Sequence, residues 1–481
     1  MNIKIIIRVL GFLLFVEGIA MLLALAISLV YGENDTLAFV FSSGICLTLG
    51  ALIAWATNGV SKDIGKREGF IIVALVWIVF SFFGTLPYIL SNSIPNFTNA
   101  FFETMSGFTT TGSSILADIE ALPHGILFWR SLTQWLGGMG IIVLSLAILP
   151  VFGIGGMQLF VAEVPGPAPD KISPRIKQTA KTLWVIYLVF TLTETVLLWI
   201  GGMSFFDAIC HSFTTMATGG FSTKQASVAF WSSPFIQYVI IVFMFLAGTN
   251  FTLSYLALKG KFKTVFKDEE FKYYGIFILG FTALIFTGLL ITTELGIEHA
   301  FRDSLFQVVS IITTTGFATT NYLLWTPFLT LLIFALFFFG GSAGSTGGSI
   351  KIMRIVLLLK NSYYELRRLI HPHAIIPVKF NKHSVDSKII TNVLAFFMLY
   401  FMIFAISTIL FTLIEPDMES AMGAVATSLG NIGPGLGNVG PAENFLHISP
   451  IGKWFLSFLM LLGRLELFTI LVLFSPSFWK E

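Results

Sequence analysis

The chain has 481 residues, of which 55% are hydrophobic and only 11% are charged, whereas ordinary soluble domains contain about 25% charged residues. This composition excludes a soluble enzyme, and the net charge of +2 gives no indication of a nucleic-acid partner. The two cysteines, Cys46 and Cys210, lie far apart in apolar surroundings, and no Cys or His spacing resembles a zinc site. The sequence therefore predicts an integral membrane protein without redox or zinc chemistry.

Ten apolar segments are long enough to cross a bilayer, which takes about 20 helical residues. The first segment follows Arg8 and is longer than the apolar core of a secretory signal, about 7 to 15 residues, so we interpret it as a retained helix. The ten segments lie at residues 9–30, 38–56, 70–91, 125–150, 183–203, 236–259, 274–294, 323–340, 389–414 and 452–475.

Lys and Arg residues fall on alternate connections between these segments. Of the 28 basic residues, 23 precede the first segment, follow the second, fourth, sixth or eighth, or stand at the end of the chain. Since basic residues stay on the cytoplasmic side of a membrane, this distribution predicts that both termini are cytoplasmic. Arg464 is different, because it lies inside the tenth segment.

Four connections share one pattern, in which a short apolar stretch ends in small and hydroxyl residues around a glycine. The four glycines, Gly112, Gly219, Gly316 and Gly433, are 107, 97 and 117 residues apart. Each stretch is long enough for only about half of the hydrocarbon thickness, so it must enter the membrane and return. Near-equal spacing predicts four units of helix, re-entrant loop and helix.

The predicted fold is an all-α polytopic membrane protein, in which four pseudo-repeats of helix, pore loop and helix surround a pseudo-fourfold pore. Two extra transmembrane helices precede the repeats. The predicted boundaries are 1–67 for the two N-terminal helices, then 68–178, 179–270, 271–385 and 386–481 for the four repeats.

A pore explains why such loops stand inside the membrane. Non-helical backbone is tolerated there only where protein encloses it or where it lines a water-filled cavity. Backbone carbonyls next to glycine can replace the hydration shell of a monovalent cation, and the C-terminal ends of the half-helices favour positive charge. The alternative is ordinary helix packing through Gly, Ser and Thr. Four copies on one predicted face favour the pore.

These loops resemble the Trk branch of the Trk/Ktr/HKT superfamily of potassium transporters, and the resemblance covers the whole chain, including the two extra N-terminal spans. It implies a potassium-selectivity filter with one glycine from each loop. Departures from the Thr-Val-Gly-Tyr-Gly of true potassium channels imply weaker discrimination against sodium. The implied filter residues are Thr110, Thr111, Gly112 and Ser113; Ala217, Thr218, Gly219 and Gly220; Thr314, Thr315, Gly316 and Phe317; and Asn431, Ile432, Gly433 and Pro434.

The third repeat carries an unusual stretch after its second span. Residues 340–349 include five glycines and three serines, and glycine costs about 1 kcal/mol per position in a helix interior, so the helix is expected to end there. A small-residue packing face is one alternative; a phosphate loop is not, because no Gly-Lys-Ser/Thr sequence follows.

The resemblance implies instead an intramembrane loop that obstructs the pore below the filter. Arg464 in the tenth segment costs at least about 2.5 kcal/mol on insertion scales, and such residues are functional by default. The alternatives for Arg464 are an ion pair with Glu466 or a side chain that reaches the interface. The implied gate residues are Gly340, Gly344, Ser345, Thr346, Gly347, Gly348, Lys351 and Arg464.

Several titratable residues stand near the starts of the pore loops. They have two interpretations, as groups that concentrate cations at the pore mouth or as solvated caps of short helices, and we favour the caps. These residues are Glu103, Asp207, His211, Asp303 and Glu419.

The sequence thus predicts channel-like uptake of potassium and rubidium through one pore per chain. The alternative is a proton- or sodium-coupled symporter, which would need buried acidic residues on the spans. An enzyme is not expected, since no intramembrane nucleophile with a base and no His-Glu-x-x-His motif is present.

The resemblance also implies the partners and the location of the chain. It implies a homodimer in the bacterial inner membrane and a cytosolic nucleotide-binding regulatory subunit of the TrkA type. Two basic stretches, residues 259–272 and 351–388, are expected to face this subunit or anionic lipid. No bound cofactor is expected, and potassium is the substrate.

Overall fold

The computed structural model describes residues 1–59, 64–140, 176–374 and 376–480. Nearly all of the described secondary structure is helical. Six helical segments of the described part are long and apolar enough to span a membrane, so the chain is a multi-pass membrane protein. They are Ile3–Tyr31, Thr36–Ala56, Arg67–Leu90, Lys181–Ile200, Glu269–Thr292 and Ser387–Phe411.

The two N-terminal helices, α1 (Ile3–Tyr31) and α2 (Thr36–Ala56), form an antiparallel hairpin beside the first repeat. Small residues let the two backbones approach, since a Cβ built on Gly50 would lie 2.7 Å from the carbonyl oxygen of Gly11. The predicted pair of extra helices is confirmed.

Each repeat begins with a long helix and continues into a short pore helix, and the second helix that follows is interrupted or short in the described part. The first repeat contains α3 (Lys66–Phe83), α4 (Leu86–Leu90), the pore helix α5 (Phe97–Phe108) and α6 (His124–Trp135), which passes into a π-turn at Leu136–Gly140. The second contains α7 (Ile176–Ile200), the pore helix α8 (Phe205–Met216), α9 (Pro234–Ala247), α10 (Phe251–Leu258) and α11 (Phe262–Lys267).

The third and fourth repeats follow the same order. The third contains α12 (Glu269–Thr292), the pore helix α13 (Ile297–Ile312), α14 (Pro327–Leu336) and α15 (Ile352–Ile370), and then a small hairpin of β1 (Lys379–Phe380) and β2 (His383–Ser384). The fourth contains α16 (Ser387–Phe411), the pore helix α17 (Met418–Gly430), α18 (Pro450–Arg464), α19 (Phe468–Leu471) and α20 (Pro476–Trp479). Short 3₁₀ turns lie at Ser227–Phe230, Tyr322–Leu324, Gly437–Val439 and Val472–Phe474.

Polar N-caps explain where three of the pore helices begin. The side chain of Asn96 accepts a hydrogen bond from the Asn99 amide at 3.1 Å, and Ser204 and Asp417 cap α8 and α17 in the same way. Hydrogen bonds from Ser420 lower the pKa of the Asp417 carboxyl, which keeps this cap ionised. The second helices of repeats two, three and four begin at a proline, which suits the first turn of a helix.

The predicted spans at 236–259 and 452–475 are not single straight helices. Each is two helical segments, since α9 and α10 meet at 110°, and α18 meets the segment Phe468–Phe474, which begins with α19, at 109°. The predicted span 323–340 contains only the ten-residue α14, and the part of the span 125–150 beyond residue 140 lies outside the described residues. The breaks have a physical role, because each helix end leaves backbone carbonyls free to accept hydrogen bonds from other segments of the protein.

The described residues form two large apolar clusters. One joins the N-terminal hairpin to the first and fourth repeats, and the other joins the second and third repeats. Hydroxyl and amide residues at the C-terminal ends of the pore helices are buried as well, and the strands that follow them contact one another. This is where the four repeats meet.

Candidate functional site

The four segments that follow the pore helices adopt the same run of backbone conformations. In each, a residue in the left-handed region is followed by one residue of ordinary conformation and then by a left-handed glycine. Glycine adopts that conformation without steric cost. The first left-handed residues are Thr110 (φ 54°), Thr218 (54°), Thr314 (59°) and Asn431 (52°), and the glycines are Gly112 (86°), Gly220 (75°), Gly316 (79°) and Gly433 (104°).

The equivalent glycine of the second repeat is Gly220, not Gly219 as expected from the sequence. The amide of Gly219 donates to the Thr214 carbonyl at 2.8 Å, as the amide of Thr111 donates to Ser106. Ala217 caps the pore helix α8, so the second strand runs from Thr218 to Phe221. Because Gly219 and Gly220 are adjacent, the sequence does not show which of them corresponds to the ring glycines of the other strands. The backbone conformation shows that it is Gly220.

The four glycines form a closed ring. A Cβ built on Gly112 would collide with the carbonyl oxygen of Gly219 in the second strand. In the same way Gly220 faces Thr315 in the third strand, Gly316 faces Ile432 in the fourth, and Gly433 faces Thr111 in the first. The contacts run from each repeat to the next and return to the start, so the four strands surround one axis.

A polar cavity opens on one side of this ring. All four ring glycines line it, together with Ser113, Pro434 and the loop at residues 440–445. The fully buried pore-helix ends lie on the other side of the ring. The arrangement therefore gives backbone carbonyls on a common axis with access from one face.

The glycine-rich segment of the third repeat lies against the opposite face. The Gly348 amide donates to the Thr314 hydroxyl at 2.7 Å, and the Thr346 hydroxyl donates to the Met216 carbonyl at 3.1 Å. The breaks between helices hold this segment, since the Ser342 amide donates to the Gly248 carbonyl at 2.8 Å. The segment at residues 340–349, here called the loop, thus contacts the base of the second and third strands.

Arg464 ends α18 and connects three repeats. Its Nη1 lies 3.0 Å from the Thr110 hydroxyl and 2.9 Å from the Thr346 carbonyl oxygen, and its Nη2 lies 2.6 Å from the carbonyl oxygens of Gly137 and Gly138. Glu466, the alternative partner considered from the sequence, forms an ion pair with Arg354. The guanidinium charge therefore lies between the base of the first strand and the loop.

Two further side chains hold the loop. Lys351 is buried and donates from Nζ to the Gly347 carbonyl. Glu270, on the first turn of α12, is also buried, and its Oε1 accepts hydrogen bonds from the Ala343 amide at 2.7 Å and the Met353 amide at 3.2 Å. One carboxylate oxygen thus joins the loop to the start of α15. No sequence pattern indicated Glu270, because its partners are backbone amides more than 70 residues away.

Glu103 has neither of its expected roles. It is fully buried on the pore helix α5 and forms an ion pair with Arg130 at 2.6 Å. Arg130 also donates to the Ser222 carbonyl at 2.8 Å and lies 3.6 Å from the ring centre of Phe221. The pair therefore links the first pore helix to the second strand. A buried carboxylate requires such a partner.

The other residues near the pore-helix starts behave as structural groups. Asp207 and Glu419 lie in the first turns of their helices, where negative charge is favourable, but the caps themselves are Ser204 and Asp417. His211 is buried, with Nδ1 2.8 Å from the Asp207 carbonyl oxygen and Nε2 2.9 Å from the Ser222 hydroxyl. Asp303 lies further along α13 and accepts from the Thr319 hydroxyl at 3.2 Å.

The chain is similar to known proteins over its full length. The family model TrkH, described as a cation transport protein, matches residues 36–481. The Trk system potassium uptake protein TrkH of Escherichia coli K12 is 42% identical over 490 aligned positions, and that of Halomonas elongata is 40% identical over 484, with 100% of both chains covered in each case. The crystal structure of the potassium transporter TrkH from Vibrio parahaemolyticus matches with a TM-score of 0.89 and 39% identity, and covers 100% of both chains.

Proposed function

The chain belongs to the TrkH family of cation transport proteins, and from this premise we propose that it takes up potassium through a pore on the axis of the glycine ring. The predicted family and the predicted fold class are confirmed. The relatives are named potassium uptake proteins. The observation that carries the proposal is the closed ring of contacts from Gly112 through Gly220 and Gly316 to Gly433.

The proposed filter consists of the four strands with the second repeat shifted by one residue. Carbonyl oxygens near the ring replace water around a potassium or rubidium ion, and the C-terminal ends of four pore helices add negative potential. The residues after the ring glycines, Ser113, Phe221, Phe317 and Pro434, differ from one another in chemistry. This irregular outer half supports a filter that discriminates against sodium less strongly than a symmetric channel does.

We propose that the loop is the gate and that this conformation is closed. Thr346 lies under the second strand, and its carbonyl shares the Arg464 guanidinium with Thr110. A fixed positive charge below the filter raises the barrier to a cation. Opening then requires the loop to leave its bonds to Glu270, Lys351 and Arg464 together.

The proposed partners act from the cytosolic side. The helix α15 follows directly from the loop, and the buried Lys351 stands at its start. A regulatory subunit of the TrkA type that moves α15 would therefore move the loop. We further propose a homodimer in the bacterial inner membrane, with both termini cytoplasmic, as the distribution of Lys and Arg favours.

A coupled symporter is the second candidate, and one observation favours it. Glu17 on α1 and Glu194 on α7 are buried inside spans; the carboxylate oxygens of Glu17 have no hydrogen-bond partner among the described residues, and the carboxyl of Glu194 lies beside the Thr215 hydroxyl. A buried carboxyl of this kind can carry a proton. Neither residue contacts the ring in the hydrogen bonds described above, so the pore remains the first proposal.

Bi-ionic and proton-gradient recordings on purified protein in planar bilayers separate the two candidates. We expect unitary currents whose reversal potential follows the potassium gradient alone, driven by about 2.3 kcal/mol per charge per 100 mV. Glu194→Gln should leave the reversal potential unchanged, as should Glu294→Gln at an exposed position. A wild-type reversal potential that shifts with the pH gradient, and loses that shift in Glu194→Gln, would favour the symporter.

Gly316→Ser tests the filter. The new Cβ would collide with the Ile432 carbonyl oxygen, and Gly316 has a left-handed backbone, so we expect rubidium uptake into liposomes to fall about tenfold and the potassium-to-sodium permeability ratio to decrease. Gly296→Ser is the matched control, because nothing lies within 4 Å of a Cβ at that position. Equal uptake and an equal ratio in both variants would reject the filter.

Removing the barrier tests the gate. Arg464→Ala, or deletion of residues 344–347, should raise basal rubidium flux about tenfold in the absence of any regulatory subunit, because a nearby like charge costs a cation on the order of 1 kcal/mol or more. Arg367→Ala, at an exposed position on α15, is the control. Basal flux equal to wild type in both gate variants would count against the loop as gate.

Glu270 gives a finer test of the same gate. Glu270→Ala removes the acceptor of the Ala343 and Met353 amides and should raise basal flux about fivefold, equivalent to a lost buried hydrogen bond of ~1 kcal/mol. Glu270→Gln keeps an oxygen acceptor and should remain near the wild-type flux. The idea fails if the two variants conduct alike.

A further inference from the structure

The side chain of Gln134, in the first repeat, forms two hydrogen bonds to the second filter strand. It lies near the end of α6 in the first repeat and is fully buried. Its Nε2 donates to the Gly219 carbonyl at 2.7 Å, and its Oε1 accepts from the Phe221 amide at 3.0 Å. The two hydrogen bonds stand on either side of Gly220, the ring glycine. One side chain therefore uses both halves of its amide on a single strand.

The first and third strands are held differently. The Thr111 hydroxyl lies 2.8 Å from the Thr109 hydroxyl, and the Thr315 hydroxyl lies 2.7 Å from the Thr313 hydroxyl. Each pair joins the strand to the cap of its own pore helix. In the fourth strand, Asn431 donates from Nδ2 to the Thr111 hydroxyl at 2.9 Å.

The second strand has no such hydroxyl pair. Its corresponding residues are Ala217 and Gly219, neither of which can donate or accept through a side chain. The space left by the missing side chain is filled, because a Cβ built on Gly219 would collide with the amide group of Gln134. Gln134 therefore occupies, from a neighbouring repeat, the volume that a threonine occupies in the first and third strands.

We propose that Gln134 is a positioning residue for ion selectivity. It fixes the carbonyl oxygen of Gly219, and that oxygen packs against Gly112 of the adjacent first strand. The spacing between the first and second strands then depends on one amide group, and discrimination between potassium and sodium depends on such spacing and on the number of oxygens that meet the ion. This inference rests on the proposed filter, and it concerns one strand of it.

The geometry suggests a double-mutant cycle with a predicted rescue. Gln134→Ala removes both hydrogen bonds, and Gly219→Thr alone collides with Gln134. We expect each single variant to lower the potassium-to-sodium permeability ratio about tenfold, as an unsatisfied buried backbone group and a steric clash suggest. In Gln134→Ala/Gly219→Thr the threonine enters the vacated space, and the ratio should return to within about threefold of wild type.

The matched control is Gln237→Ala. Gln237 is a buried glutamine on α9 that donates to the Trp231 carbonyl at 2.9 Å and accepts from Arg302 at 2.8 Å, away from the ring. Its loss should reduce thermal stability without changing the permeability ratio. Gln134→Met keeps the side-chain volume and carries the same test if the alanine variant does not fold. Bi-ionic reversal potentials and thermal unfolding are measured for every variant in the same lipid.

The outcomes separate this inference from the proposed function. If wild type conducts selectively, Gly316→Ser alters the ratio and the Gln134 variants keep the wild-type ratio, only the role of Gln134 is overturned. A double variant no better than the two singles combined also overturns it. If wild type does not conduct, or Gly316→Ser leaves the ratio unchanged, the filter itself is rejected.

Discussion

The close packing of four glycines against carbonyl oxygens of the neighbouring strands, which leaves no room for a Cβ, is the constraint on which the rest of the structure depends. No side chain fits at Gly112, Gly220, Gly316 or Gly433, and each glycine has a left-handed backbone. The strands can converge in this way only if the pore helices are short and end at the same depth. The long helices outside them then provide the apolar enclosure that irregular backbone needs inside a membrane.

A buried polar network joins the repeats beneath the ring. Helix breaks are part of this network, because the interrupted ends at Gly248 and Gly138 offer carbonyls to the loop and to Arg464. Each charge in the network is held by specific partners, as burial in a membrane demands. This arrangement is therefore maintained by several bonds of ordinary strength that must change together if the loop moves.

Because the four repeats belong to one chain, their sequences can differ, and different repeats contribute different residues to the site. The third repeat provides the loop, the fourth provides Arg464, and the first provides Gln134 for the second strand. A symmetric tetramer would have to repeat each of these devices four times around the axis. The second strand, which has no hydroxyl pair, is held by the side-chain amide of Gln134 from the first repeat, so a missing contact within one repeat is replaced by a contact from another.

The sequence by itself determined the membrane class, the two N-terminal helices, the four repeats and the position of the loop. These follow from local properties, because an apolar segment must be long enough to cross the bilayer and a run of glycines disfavours helix. It also indicated Arg464, since a charge inside an apolar span is conspicuous. Only the tertiary structure decided that Gly220 rather than Gly219 joins the ring, that the spans at 236–259 and 452–475 are broken, and that Glu103 pairs with Arg130. The roles of Glu270 and Gln134 are likewise visible only in the tertiary structure. Their roles depend on backbone groups of distant segments, and hydrogen bonds to backbone leave no pattern of residue types along the chain.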